Sequence, residues 1–324
     1  MNSAHFPVPD VAAIKLAHQR IRPFINRTTV ITSQTINRMY NTELFFKCEN
    51  FQKVGAFKAR GATNAVLSLE KQQFVNGVAT HSSGNHAQAL SYSASLVKTK
   101  AYIVMPSNSS KVKIEAVKGY GGIITFCEPT LESRETTLNK ILRETDAIEI
   151  HPYNDVRIIA GQATAAFELI EDFGNFDLVL APVGGGGLLS GTALTIHYFN
   201  PGAKVIGVEP EQANDAFLSF TQKQFVPSVN PITIADGLRT SLGSVTFPII
   251  LDHVNDIVTV TETGIVKAMR FLWERLKIIV EPSSSAPFAA IMEGKVNVSG
   301  KRIGIIISGG NVDLDDLPWI MRHD

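Results

Sequence analysis

Two cysteines in 324 residues, Cys48 and Cys127, are too few and too far apart for a disulfide framework. No CxxC or histidine-rich spacing offers a zinc site, and both cysteines fall in apolar, strand-like runs, so reduced core thiols are expected. An excess of charge is missing too: thirty Lys and Arg stand against thirty Asp and Glu. No segment gathers Lys and Arg among aromatics, so neither nucleic acid nor an anionic membrane surface has a footing here. No run of about 18 apolar residues could span a bilayer. The opening residues, Met1-Asn2-Ser3-Ala4-His5-Phe6-Pro7-Val8-Pro9, lack the basic region and apolar core of a secretory signal. Fixed-period repeats and low-complexity segments are absent as well. These absences predict a soluble cytoplasmic protein with a small-molecule partner.

What is present is an alternation. A helix is expected over 10–22, where Val11, Ile14, Ala17 and Ile21 recur at helical spacing, and another over 33–40, capped by Ser33. Leu44-Phe45-Phe46-Lys47-Cys48 reads as a strand, followed by a helix over 58–69. Further strands are expected at 77–80, 101–105, 122–126, 178–181, 204–208, 257–260 and 303–307, with helices ending near 96, over 110–118 and over 131–143. Apolar strands alternating with helices indicate α/β architecture with parallel sheets covered on both faces. The strands are too many for one modest sheet, so two three-layer domains are expected. The larger would comprise 1–68 and 152–324, with a smaller α/β unit, 69–151, inserted.

Three strand-to-helix turns are rich in hydrogen-bond donors. Gly184-Gly185-Gly186-Gly187 follows the strand at 178–181 and opens a helix, so its backbone N–H groups can converge on an anion at the positive end of that helix. It lacks the Gly-Lys-Ser/Thr of a nucleotide loop, and no frame through 184–191 gives the dinucleotide glycine pattern. A compact terminal phosphate fits better. Ser82-Ser83-Gly84-Asn85-His86 could hold a carboxylate, and Ser308-Gly309-Gly310-Asn311 closes the last strand at the edge where open α/β sheets place ligands. Lys58, among Val54, Gly55, Ala56 and Phe57, is a candidate nucleophile: apolar surroundings lower a lysine's pKa and free the amine to condense with a carbonyl cofactor. The alternative for Lys58 taken alone is an ordinary snorkelling lysine. Glu209 and Asp215, around a turn exposing the Ala213 carbonyl, offer oxygen ligands to a hard divalent cation, although two loop carboxylates are usually just solvated.

Gly55-Ala56-Phe57-Lys58-Ala59-Arg60-Gly61-Ala62, together with the three turns, resembles the fold-type II pyridoxal-phosphate enzymes of the serine/threonine dehydratase family, and among them the serine racemases. The resemblance runs over nearly the whole chain. It implies that Lys58 bears pyridoxal 5'-phosphate, with Phe57 near its ring, Gly184, Gly185, Gly186 and Gly187 on its phosphate, Asn85 at its ring hydroxyl and Ser308 at its pyridine nitrogen. A neutral hydroxyl there suits loss of a β-substituent over transamination. Lys58 would take the Cα proton from one face of a small β-hydroxy amino acid. Loss of the β-hydroxyl then gives a 2-oxo acid and ammonia.

Ser83 stands where family threonine dehydratases commonly carry alanine, and implies proton return from the opposite face, that is, racemisation. Dehydratases of threo-3-hydroxyaspartate resemble this group too, and threonine dehydration is a further alternative. The resemblance makes Ser82, Ser83, His86, Arg134 and Ser241 substrate contacts, and Arg134 and His151 are candidates to meet the substrate's distal group. A surface ion pair and a loop histidine are the plain alternatives for Arg134 and His151. It also implies Mg²⁺ or Ca²⁺ at Glu209, Ala213 and Asp215, and ATP at Lys53, Gln88, Tyr120, Lys277 and Asn311, where Val54 departs from the usual hydroxyl residue. A homodimer is implied as well. A binding protein that has lost catalysis is the reading from another class; Lys58, Ser83 and Asn85 together speak against it.

Overall fold

The computed structural model describes residues 8–320; the first part of the stretch weighed above for a signal, up to Pro7, lies outside them. The chain opens with α1 (Val11–Ile21), β1 (Val30–Ile31), α2 (Gln34–Tyr40), β2 (Glu43–Cys48) and α3 (Lys58–Leu67). Next come β3 (Val78–His81), α4 (Asn85–Leu96), β4 (Ala101–Pro106), α5 (Lys111–Gly119), β5 (Gly122–Cys127), α6 (Leu131–Thr145) and β6 (Ile148–Glu149). The remainder runs α7 (Val156–Phe173), β7 (Leu178–Pro182), α8 (Gly187–Phe199), β8 (Lys204–Pro210), α9 (Asp215–Gln222) and α10 (Thr246–His253). It closes with β9 (Asp256–Val260), α11 (Glu262–Leu276), α12 (Pro282–Met292) and β10 (Arg302–Ile307). Short polar side chains start many helices: Asp10 accepts from the Ala13 N–H at 2.8 Å, and Ser33, Ser110, Thr130, Asp155 and Thr261 do the same for theirs.

Two sheets result. Six strands run in the order β1-β2-β10-β7-β8-β9 and four in the order β5-β4-β3-β6. Every pairing is parallel except β1 with β2, a two-residue antiparallel edge too short to leave an apolar pattern. Alternation sorts β2 between two cores. Leu44 and Phe46 join a cluster with α11 and α12, while Phe45 joins another with α7 and α8, so helices cover both faces. The four-stranded sheet is covered likewise, by α4 on one side and α6 on the other. Cys48 and Cys127 are free and buried. Among the described residues no helix is long and apolar enough to cross a membrane.

Two features depart from the expected pattern. β2 is not apolar throughout, because Lys47 within it is fully buried, as is Arg60 in α3. Both face Glu168 of α7, 121 and 108 residues further along the chain. The other departure is Glu209. Expected beside a turn, it lies within β8 with no exposed surface.

Candidate active site

The chain approaches Lys58 through a constrained turn. Val54 has φ 58° and Gly55 φ 67°, left-handed backbone that a β-branched residue rarely adopts. Ala56 then forms an isolated bridge with Gly309, and the Phe57 N–H donates to the Ser308 carbonyl at 2.9 Å. This seats Lys58, first residue of α3, beside the turn after β10. The lysine is half-buried, its amine donating to the Pro152 carbonyl at 2.7 Å and lying 5.2 Å from the Phe57 ring centroid. Burial lowers its pKa to about 8, partly opposed by the Glu281 carboxylate.

The glycine run lies between β7 and α8. Gly184, Gly185 and Gly186 are buried, yet their N–H groups donate to no described residue. Buried amides without partners, at a helix N-terminus, suit a phosphate. The turn has no room for a side chain: a Cβ on Gly185 would lie 2.3 Å from the Tyr153 ring and one on Gly184 would lie 2.8 Å from the Gly237 carbonyl oxygen. These orphan donors, with the half-buried amine of Lys58, fit pyridoxal phosphate. When bound, that group supplies an electron sink for negative charge at a substrate carbon.

Asn85, first residue of α4, donates to both oxygens of Glu281, at 2.9 and 3.2 Å, and accepts from Asn311 at 2.9 Å. Glu281 is a residue the sequence reading passed over. Preceding Pro282, it looks like an ordinary helix-entry carboxylate. Burial, with Asp236 nearby, pushes its pKa up to about 7, against the pull of Lys113. Ser308 is buried, its hydroxyl 3.0 Å from that of Ser284, itself bonded to the Gly309 backbone.

Ser82 and Ser83 occupy the bend between β3 and α4; the Ser82 hydroxyl accepts weakly from the Gly84 N–H at 3.3 Å. His86 is buried, with Nε2 3.0 Å from the Ile150 carbonyl and Nδ1 unpartnered. His151 accepts from the Tyr153 and Asn154 N–H groups. Burial first, and then the charge on Lys58, lowers the pKa of His86 well below its usual value; in His151, lowered to about 4, the neighbouring His81 outweighs Lys58. His81 is lowered by burial and by Arg134. Neutral imidazoles therefore surround the lysine at pH 7. Arg134 is half-buried, and among the described residues it has no ion pair and its Nε no hydrogen-bond partner. Ser241 lies farther along the large sheet's loops, its hydroxyl taken by the Ser228 N–H at 2.8 Å.

The two remaining groups are only partly assembled. Glu209 caps α9, accepting from the Ala216 and Phe217 N–H groups at 3.1 and 2.9 Å, while neither oxygen of buried Asp215 makes a hydrogen bond of ordinary geometry. Burial raises both, Glu209 to about 9 and Asp215 to about 6, with Asp215 adding to the shift of Glu209. Asn311 donates to the Val54 carbonyl at 2.7 Å, and Tyr120 packs on the small cluster holding Val54. Gln88 is buried in α4, Lys53 is exposed after β2, and Lys277 donates to the Glu274 carbonyl at the end of its own helix.

Residues 21–309 match the model of the pyridoxal-phosphate dependent enzymes, and the chain belongs to that family. It is 48% identical over 312 residues to the beta-hydroxyaspartate dehydratase of Paracoccus denitrificans, covering 96% of this chain and 99% of that one. It is 47% identical to the serine racemase of Dictyostelium discoideum, covering 95% and 97%. The crystal structure of that racemase superposes with a TM-score of 0.89 over 94% of this chain and 99% of the other.

Proposed function

We propose that this chain removes the Cα proton of a small β-hydroxy amino acid and then either returns a proton on the other face or expels the β-hydroxyl, giving the enantiomer or a 2-oxo acid and ammonia. The carrying observation is the half-buried amine of Lys58, held beside Phe57 and Ser308 at the carboxyl edge of the large sheet. In this reading the Gly184–187 amides hold the cofactor phosphate, and Asn85 and Ser308 orient its ring. Lys58 takes the proton from one face and Ser83 serves the other. Ser82, His86 and Ser241 help to hold the substrate. The division into 1–68 with 152–324 and an inserted 69–151 belongs to this reading, supported by strands 78–149 forming their own sheet.

Serine is the first substrate. Threo-3-hydroxyaspartate is the second, favoured by the unpartnered Nε of half-buried Arg134, which suits a distal carboxylate. A panel of L-serine, D-serine, L-threonine and threo-3-hydroxyaspartate, scored for keto acid and enantiomer, tests both. Arg134→Leu is expected to cut kcat/KM for 3-hydroxyaspartate about 100-fold, or about 3 kcal/mol, the worth of a charge-assisted pair out of bulk water. L-Serine should lose less than about threefold. Equal losses on both substrates would remove Arg134 from the distal pocket, and no turnover of any of the four would sink the reading.

We place Mg²⁺ or Ca²⁺ at Glu209, the Ala213 carbonyl and Asp215, supported by two neighbouring buried carboxylates. Dialysis against a chelator is expected to lower Tm and rate together, and Mg²⁺ or Ca²⁺ to restore both; unchanged values would remove the site. The same assays with and without ATP decide whether Lys53, Gln88, Tyr120, Lys277 and Asn311 form a nucleotide site. A cytoplasmic location is supported by the two free buried thiols. A homodimer is supported by half-exposed Phe51 and Ile279, which lie on segments joined by the Asn50–Ile279 hydrogen bond.

A further inference from the structure

Two residues past Lys58 the chain buries a second cation, pointing the other way, since residues two apart on a helix do not share a face. The Arg60 guanidinium holds two carboxylates at once. It donates to Glu49 Oε2 and Oε1 at 2.7 and 2.8 Å, and to Glu168 Oε1 and Oε2 at 2.9 and 2.7 Å. Lys47, equally buried, donates to Glu168 Oε2 at 2.7 Å and to the Thr28 carbonyl at 2.8 Å. Thr28 and Thr164 add hydroxyl contacts to Glu49 and Arg60. Two positive and two negative groups cancel. Burial alone would raise the Glu168 carboxyl, but Arg60 and Lys47 outweigh it and hold it at about 2. The cluster ties β2 and the turn after it, α3 and α7 into one unit.

As a stabiliser such a cluster is poor, because desolvating four charges offsets most of their attraction, and well-packed apolar replacements are often neutral or better. What bidentate pairs do supply is fixed geometry. The start of α3 needs fixing. Its cap residue, Phe57, makes no side-chain capping bond, and the chain enters through the left-handed pair Val54 and Gly55. Backbone contacts with Ser308 and Gly309 hold one side of that start; Arg60 grips the opposite side.

We propose that Arg60, clamped by Glu49 and Glu168 with Lys47 in support, is a positioning residue that keeps the first turn of α3 in place, so that the Lys58 amine stays aimed at the substrate Cα when it is not bonded to cofactor. The proposal rests on the reading of Lys58 given above. Arg60 touches neither substrate nor cofactor and acts through Lys58.

The test replaces the cluster neutral for neutral, with Lys47→Met, Glu49→Met, Arg60→Met and Glu168→Met together, in the holoenzyme. The expected result is a folded protein with Tm near wild type, KM for L-serine within about threefold, kcat lower by about 10- to 100-fold, and a shifted pH midpoint for the cofactor's visible band. A folded variant with wild-type kcat and an unshifted band would overturn the proposal. Should the fourfold variant not fold, Arg60→Lys decides, because it keeps the charge but loses the fork. A fall in kcat with unchanged KM and a shifted band supports positioning; a fall in Tm alone overturns it. Lys58→Ala serves as control. Retention of the cofactor band in that variant would mean that the Lys58 reading itself has failed, and the clamp proposal with it.

Discussion

Replacing Lys58 with alanine is expected to abolish turnover, by at least about 10³-fold, and to remove the visible band formed when pyridoxal phosphate is added to the protein. One side chain would be both the attachment point and the base, so its loss strikes binding and chemistry together. The fold should survive, because the lysine's recorded partner is a single backbone carbonyl. pH gives an independent check. Burial brings the Lys58 pKa down to about 8, so the reactive free amine dominates above that value. The rate of cofactor capture by apo-protein should therefore rise with pH through a midpoint near 8 and level off above it, where an ordinary lysine would have its midpoint at about 10.4. Stability follows the same group. Between about 8 and the usual lysine range the unfolded chain binds a proton that the folded chain lacks, so stability should rise with pH across that window. Lys58→Met should flatten that rise. A band of wild-type intensity in Lys58→Ala would refute the assignment.

The three donor-rich turns were legible because each follows an apolar strand, and a run of glycines or short polar residues there has few other uses. Lys58 stands out only through them: its own segment reads more readily as a snorkelling lysine, and the turns around it supply the donors that a cofactor would need. The buried charges were not legible. Lys47 in Leu44-Phe45-Phe46-Lys47-Cys48 looks like the one outward position of a strand, and Arg60 like an exposed helix residue. Their partner, Glu168, lies more than a hundred residues away on α7, and local pattern carries no sign of a pairing at that range. Glu281 hid for a similar reason, since a carboxylate before a proline is an everyday helix entry. The burial of Glu209 is hidden at a strand end: the apolar run stops at Val208, whereas β8 runs on to Pro210 and takes the carboxylate inside.

Ser83→Ala is expected to separate the two outcomes of one active site. Racemisation of L-serine should fall by about 100-fold or more, the usual worth of a placed acid or base, while elimination from L-serine stays within about threefold. The hydroxyl sits half-buried in the bend just before α4, where the positive end of that helix favours it when it gives up a proton. Elimination from D-serine should fall with racemisation, because removing the proton from that enantiomer needs a base on the face opposite Lys58. The measurement is a chiral assay of residual serine alongside keto-acid release, from each enantiomer separately. If alanine lowered elimination from L-serine as much as racemisation, Ser83 would be a general substrate contact, like its neighbour Ser82, and the second face would need another residue. With Lys58 proposed for the first face in either case, it is the ratio of the two losses that locates the hydroxyl, and neither loss alone can do so.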